Sequence, residues 1–141
     1  MLNLDEIKKR AFGNSKENEK KFAKQKKTSI QTYDCLVKND YLKDADYSKD
    51  KEFYSLISTM SFALFITDSE DPFYSYNDPA YDGEKTITAF SSKDALMQYK
   101  KNESPNSKFV YVSYSTLVEI MEYKDVKFAA IYTSYDKKQK Y

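Results

Sequence analysis

The sequence predicts an α+β domain of α/β-like character: a mixed sheet of about four strands with helices packed on it, plus a basic N-terminal helical arm. Three observations predict it. Two uninterrupted apolar runs, Phe62-Ala63-Leu64-Phe65-Ile66 and Phe128-Ala129-Ala130-Ile131-Tyr132, read as strands covered on both faces. Two further runs, Lys85-Thr86-Ile87-Thr88-Ala89-Phe90 and Phe109-Val110-Tyr111-Val112, are rich in β-branched and aromatic residues, as strands are. Between the strands, apolar spacings of three and four, preceded by capping residues, mark helices. With 141 residues, 40% of them hydrophobic, the chain buries roughly two thirds of its unfolded surface in one core. It needs no disulfide or metal to hold it.

The elements follow in order. Leu4, Ile7 and Ala11 share a helical face, Asn3 is placed to cap it, and Gly13 is placed to end it in a left-handed conformation. Residues 14–27 carry one large apolar side chain, Phe22, and so read as a solvated helix or mobile arm. That makes 1–27 the basic arm and 28–141 the single domain. Ile30, Tyr33, Leu36 and Val37 suggest a helix face over 28–37, and 39–47 a polar loop. Ser48 caps a helix with Phe53, Leu56, Ile57 and Met60 at i, i+3, i+4 and i+7.

After the 62–66 strand, residues 67–84 read as a long loop. Loops of more than about 12–15 residues are often functional. Asp82-Gly83 turns the chain into the 85–90 strand. Ser91 with Asp94 resembles a capping box opening a helix over Ala95, Leu96 and Tyr99, and Thr116 with Glu119 opens another over Leu117, Ile120 and Met121. Strands alternating with helices favour parallel crossovers.

The absences narrow the chemistry. The chain has no His, so Ser-His-Asp and Cys-His mechanisms, His-ligated zinc and the usual neutral-pH proton shuttle are closed to it. The single Cys35 forms neither an internal disulfide nor a cysteine zinc cluster, and reads as a packing residue. The serines at 91, 92, 113 and 115 have capping or strand-end explanations. The expectation is a chain without catalysis, cofactor or metal. No apolar stretch follows the first basic residues and the longest apolar run is far short of a membrane span, so a cytoplasmic location is expected.

Residues 53–96 also carry a resemblance. Phe53, Tyr54, Leu56 and Ile57, then Phe65-Ile66, then Asp82-Gly83 ahead of a strand, then Thr88-Ala89-Phe90-Ser91-Ser92 leading into Asp94-Ala95-Leu96, resemble the N-terminal domain of the SseB family. The similarity covers roughly residues 50–135. It departs from the family pattern at Ala130-Ile131-Tyr132-Thr133-Ser134, where a Gly-rich turn is usual. The resemblance implies an α/β domain with no established catalysis.

The net charge of +1 conceals a dipolar layout. Nine basic face four acidic side chains over residues 1–30, but eleven face seventeen over 31–135. Within 67–84 there are six acids, no Lys or Arg, and four aromatic side chains. Such a loop suits a basic protein partner, since Tyr gives large contact area at little entropic cost. The expected partner-binding residues are Asp68, Glu70, Asp71, Tyr74, Tyr76, Asp78, Tyr81 and Asp82. The bland alternative is a solvated loop whose aromatic residues cap the core. Calcium binding lacks the required D-x-[DN]-x-[DN]-G pattern.

The functional expectation is a protein-binding module, in its most concrete form a bacterial inhibitor or immunity-type protein masking a basic surface. The alternative is a nucleic-acid or membrane-surface adaptor using Lys20, Lys21, Lys24, Lys26 and Lys27.

Overall fold

A computed structural model describes residues 3–25, 35–38, 58–79, 82–126 and 128–132, with the backbone alone for 35–38. Its strands are β1 (Cys35–Lys38), β2 (Ser61–Ile66), β3 (Tyr76–Asp78), β4 (Glu84–Phe90), β5 (Lys108–Ser113) and β6 (Phe128–Tyr132). Its helices are α1 (Leu4–Gly13), α2 (Ser15–Lys24), α3 (Lys93–Asn102) and α4 (Tyr114–Lys124). The strands form one mixed sheet in the order β1-β6-β4-β2-β5, with β3 also paired to β4. The α+β class is as expected, with six described strands rather than about four.

Side chains alternate across the sheet with a period of two. On one face Phe62, Leu64, Ile87, Ala89, Val110, Val112, Ala129 and Ile131 pack with Ile7 and Ala11 of α1 and Leu117, Ile120 and Met121 of α4. On the other face Ala63, Phe90, Ala130 and Tyr132 pack with Phe22 of α2 and Ala95 and Leu96 of α3. The result is three layers, helix, sheet and helix.

The connections explain the layering. β4 pairs parallel to β6, and β2 pairs antiparallel to both β4 and β5. Hence β4, β5 and β6 run the same way, as the crossover expectation requires, but β2 is inserted between β4 and β5. The α3 crossover travels outward to β5 and the α4 crossover travels back to β6. Crossovers of one hand that travel in opposite directions pass on opposite faces of a sheet.

Four expectations need correction. Residues 3–24 are not a detached arm: Ile7, Ala11 and Phe22 are buried. One Phe at the right register suffices for α2, because the sheet supplies the rest of the apolar surface and Phe22 packs on Tyr111 with ring centroids 5.3 Å apart. Gly13 stays helical, and the chain turns instead at Asn14 (φ −104°, ψ 4°). Leu36 and Val37 lie in a strand rather than a helix, paired with Ala130 and Ala129 of β6. The residues from 26 to 34, with Ile30 and Tyr33, and those from 39 to 57, with the helix expected after Ser48, lie outside the described residues.

The fourth correction concerns caps. Ser92, not Ser91, caps α3 by accepting from the Ala95 N–H, while the Ser91 hydroxyl donates to the Tyr132 carbonyl. α4 begins at Tyr114, with Ser113 accepting from the Thr116 N–H. Thr116 is therefore inside the first turn, buried, and not the cap.

Candidate functional site

The long segment between β2 and β4 is built, not slack. β2 and β4 pair only at Ala63–Phe90 and Leu64–Ala89. Beyond that point they part, and the segment fills the wedge. Phe73 bridges to Ile66, and β3 pairs with the start of β4 through Tyr76–Thr86, Asn77–Lys85 and Asp78–Glu84. The Thr67 N–H donates to the Pro72 carbonyl at 2.8 Å, closing the turn between them. At the far end Asp82 (φ 57°) and Gly83 (φ 72°) adopt left-handed conformations, which Asp tolerates and Gly adopts freely.

Phe73 anchors the segment. It is buried among Leu64, Ile87 and Val110 and stacks on Phe12 at 6.2 Å. Asp71 holds the approach: its Oδ1 accepts from the Phe73 N–H at 3.1 Å, and its Oδ2 pairs with Lys124 Nζ at 2.6 Å. Lys124 is nearly covered there, its side chain 12% exposed. Lys8 donates to the Glu70 carbonyl at 3.2 Å, and Lys108 lies 3.5 Å from Asp68 with both side chains in water. The segment contains no basic residue of its own, yet the fold brings three lysines to its first half. Two of the three carboxylates in residues 68–71, those of Asp68 and Asp71, therefore face a lysine.

The second half is different. Asp82 and Glu84 are exposed, and their carboxylates meet no cation among the described residues. Tyr74 is 47% exposed, and its ring stacks on Tyr76 with centroids 6.0 Å apart and planes 23° from parallel. Tyr76 is fixed by a 3.0 Å hydrogen bond between its hydroxyl and Thr88 Oγ1. Burial raises the Tyr76 phenol pKa. The Thr88 hydrogen bond opposes this, while the nearby Asp78 carboxylate and the Tyr74 and Tyr99 phenols reinforce it. Burial likewise raises Tyr99, helped by Glu103 and Tyr74. Tyr74, Tyr76 and Tyr99 thus share one neighbourhood. Tyr99 continues it inward to Phe65 (5.2 Å) and Phe90 (5.3 Å).

No family model, curated protein or solved structure matches this chain. The site has to be read from its own residues.

Of the eight expected residues, the structure gathers Tyr74, Tyr76, Asp78 and Asp82 around the β3–β4 hairpin. It sets Asp68 and Glu70 apart, on the turn after β2. Asp71 is a structural tie, and Tyr81 lies outside the described residues. Among the described residues no group of three or more His, Cys, Asp or Glu side chains could hold a metal ion. Nor is any helix among them long and apolar enough to cross a membrane.

Three contributors carry no signal in the sequence. Gln25 closes the α2 end: its amide donates to the Ser61 and Ser91 carbonyls at 3.0 and 2.6 Å and accepts from the Ser61 N–H at 2.8 Å. Ser15 Oγ accepts from the Tyr111 N–H at 3.1 Å, satisfying a backbone donor on the outer side of β5. Lys124 lies 53 positions from Asp71. The α2 lysines do show a pattern: Lys16, Lys20 and Lys24 are exposed, opposite the buried Phe22. Lys21 lies on the flank, and Lys26 and Lys27 lie outside the described residues.

Proposed function

We propose that the chain is a non-enzymatic, cytoplasmic protein-binding module that engages a basic surface of another protein through the β3–β4 hairpin and the tyrosine stack before it. The observation that supports this is Tyr74, a residue nearly half exposed whose ring stacks on Tyr76, at one end of a hairpin whose other end carries Asp82 and Glu84, exposed and with no cation partner for their carboxylates among the described residues. A ring ordered before binding forfeits little entropy on contact, and opposite charge speeds the encounter. The more specific form is a bacterial inhibitor or immunity-type protein that masks a toxin or nucleic-acid-handling surface. The resemblance to the SseB N-terminal domain belongs to this proposal: it implies an α/β domain with no established catalysis.

The test is to recover a partner by pull-down from the native host and titrate it against Tyr74→Ala, Asp82→Lys and Glu84→Lys. The charge variants should slow association and Tyr74→Ala should speed dissociation, with melting temperatures lowered only slightly, by the left-handed backbone at residue 82 in Asp82→Lys and by the lost stack in Tyr74→Ala. Unchanged affinity across all three would place the interface elsewhere. Asp71 is unsuitable as a binding probe, since its substitution disturbs the fold.

A second reading rests on the Lys16, Lys20 and Lys24 stripe, spaced one turn or about 6 Å apart. Phe22 is turned inward, so this face has no large apolar group to insert into lipid, and phosphate contacts to nucleic acid suit it better. Binding to a single-stranded oligonucleotide should then show a log–log salt slope of about −0.7 per lysine engaged. Absence of retardation at low salt removes this reading.

A further inference from the structure

Beyond the binding reading, we infer that Asp82-Gly83 is a site of spontaneous backbone modification, where Asp82 converts to isoaspartate, and that the fold meters this conversion through the Gly83 N–H. The chain has two glycines, and Gly83 is the one that follows an Asp or Asn. Without a Cβ, Gly83 leaves its own nitrogen approachable. Both residues are exposed, with left-handed φ of 57° and 72°. No cation among the described residues ties the Asp82 carboxylate down, so it is free to swing onto the backbone. The other described Asp with positive φ, Asp125, precedes Val126, which is buried and whose branched side chain crowds its nitrogen. In the reaction the Gly83 nitrogen attacks the carbonyl carbon of the protonated Asp82 carboxyl. The N–C bond forms, the C–OH bond breaks, and the hydroxyl leaves with the amide proton as water. Water then adds to the cyclic imide at the former main-chain carbonyl and breaks its bond to nitrogen. The main chain now runs through the side-chain carbon of residue 82, and water is the only co-reactant.

The gate is a single bond. In the folded chain the Gly83 N–H donates to the Asp78 carbonyl at 2.9 Å. The nitrogen must leave that bond before it loses its proton and turns onto the carboxyl. Asp78–Glu84 is the end pair of the β3–β4 ladder, and β3 is only three residues long. Such an end opens locally without unfolding the rest. The reaction is therefore slower than in a free peptide but not blocked, as it is within a long ladder. Isoaspartate adds one carbon to the backbone of the turn, so the Asp78–Glu84 pair no longer closes in register. Under the binding reading this weakens the partner's hold on the hairpin. That consequence rests on the reading, and the site itself does not.

The experiment incubates the full chain at neutral pH in heavy-oxygen water, beside an end-blocked peptide of residues 80–85 as the unrestrained reference. Digestion in ordinary water and mass spectrometry then locate the heavy oxygen, and methylation by an L-isoaspartyl methyltransferase scores the product. Both signals should concentrate at Asp82. The rate in the folded chain should be about three- to ten-fold below that of the peptide, the factor set by opening one hydrogen bond of ordinary net strength. Urea below the unfolding midpoint should raise it toward the peptide's rate, in step with hydrogen exchange at the Gly83 amide. Asp82→Glu, whose ring needs one more atom, should abolish the signal while circular dichroism shows it folded. No isoaspartate at Asp82 by the time the peptide is half converted would overturn the site, as would product arising chiefly elsewhere in the chain. Equal rates in chain and peptide would overturn the gate. A recovered partner that binds aged and fresh chain alike would count against the hairpin as interface and leave the modification site standing.

Discussion

Replacing Asp71 by alanine removes two contacts at once, and their sizes are readable from the structure. The pair with Lys124 is short, 2.6 Å, and unequally covered, with side chains 12% exposed for Lys124 and 33% for Asp71. An exposed pair contributes about 0.2–1 kcal/mol, whereas breaking a fully buried pair costs about 3–5 kcal/mol. A charge-assisted hydrogen bond at intermediate cover lies between, at about 1.5–3 kcal/mol. The bond from the Phe73 N–H to Oδ1 adds about 1 kcal/mol. Asp71→Ala should therefore cost about 2.5–4 kcal/mol. A domain of this size loses roughly 3–4 °C in melting temperature per kcal/mol, so the midpoint should fall by roughly 8–15 °C. Asp71→Asn keeps the acceptor for Phe73 and loses only the charge, so it should retain about 1 kcal/mol relative to alanine. Urea unfolding followed by circular dichroism measures both, and a cycle with Lys124→Met isolates the pair. A loss below about 0.5 kcal/mol for Asp71→Ala, the level of an ordinary surface substitution, would refute the tie. The segment would then be held by Phe73 alone.

Phe22→Ala should cost about 3–5 kcal/mol by opening a cavity against Tyr111 and Ala63. Removal of residues 1–25 should abolish cooperative unfolding in calorimetry, and a truncated chain that melts sharply would contradict the packing of α1 and α2. Gln25→Ala should cost about 2–3 kcal/mol, since three hydrogen bonds at the ends of β2 and β4 go with it. Hydrogen exchange at the Ser61 amide should rise in step. The phenols of Tyr76, Tyr99 and Tyr111 are all raised above 10.0 on folding, chiefly by burial. A phenol that keeps its proton longer when folded contributes stability that is complete below the unfolded value and lost as pH rises through the folded one. Denaturant midpoints should hold up to about pH 10 and fall above it. Tyr76→Phe should flatten part of that fall, and an identical profile would exclude Tyr76 as a source.

The α+β class, four of the strands, the α1 cap at Asn3 and the inward faces of α1, α3 and α4 were legible from the chain, because each depends on neighbours within one or two turns or on a period-two alternation. Phe62 to Ile66 and Phe128 to Tyr132 announce burial on both sides by composition alone. The β1 and β3 strands were not legible. They are four and three residues long and exist because β6 and β4 offer them hydrogen-bonding partners far away in sequence. The same limit governed α2: a helix with one large apolar residue looks solvated until a sheet face is placed beneath Phe22. Charge shows the limit most directly. The six acids of residues 67–84 are a property of the chain, but Lys8, Lys108 and Lys124 reach three of those positions only through tertiary folding. Electrostatic potential follows distance in space, so residue order gave the sign of the segment, and the packing of β5 and α4 decided which of its carboxylates face a lysine, Asp68 and Asp71, while those of Asp82 and Glu84 at the hairpin turn meet no cation among the described residues.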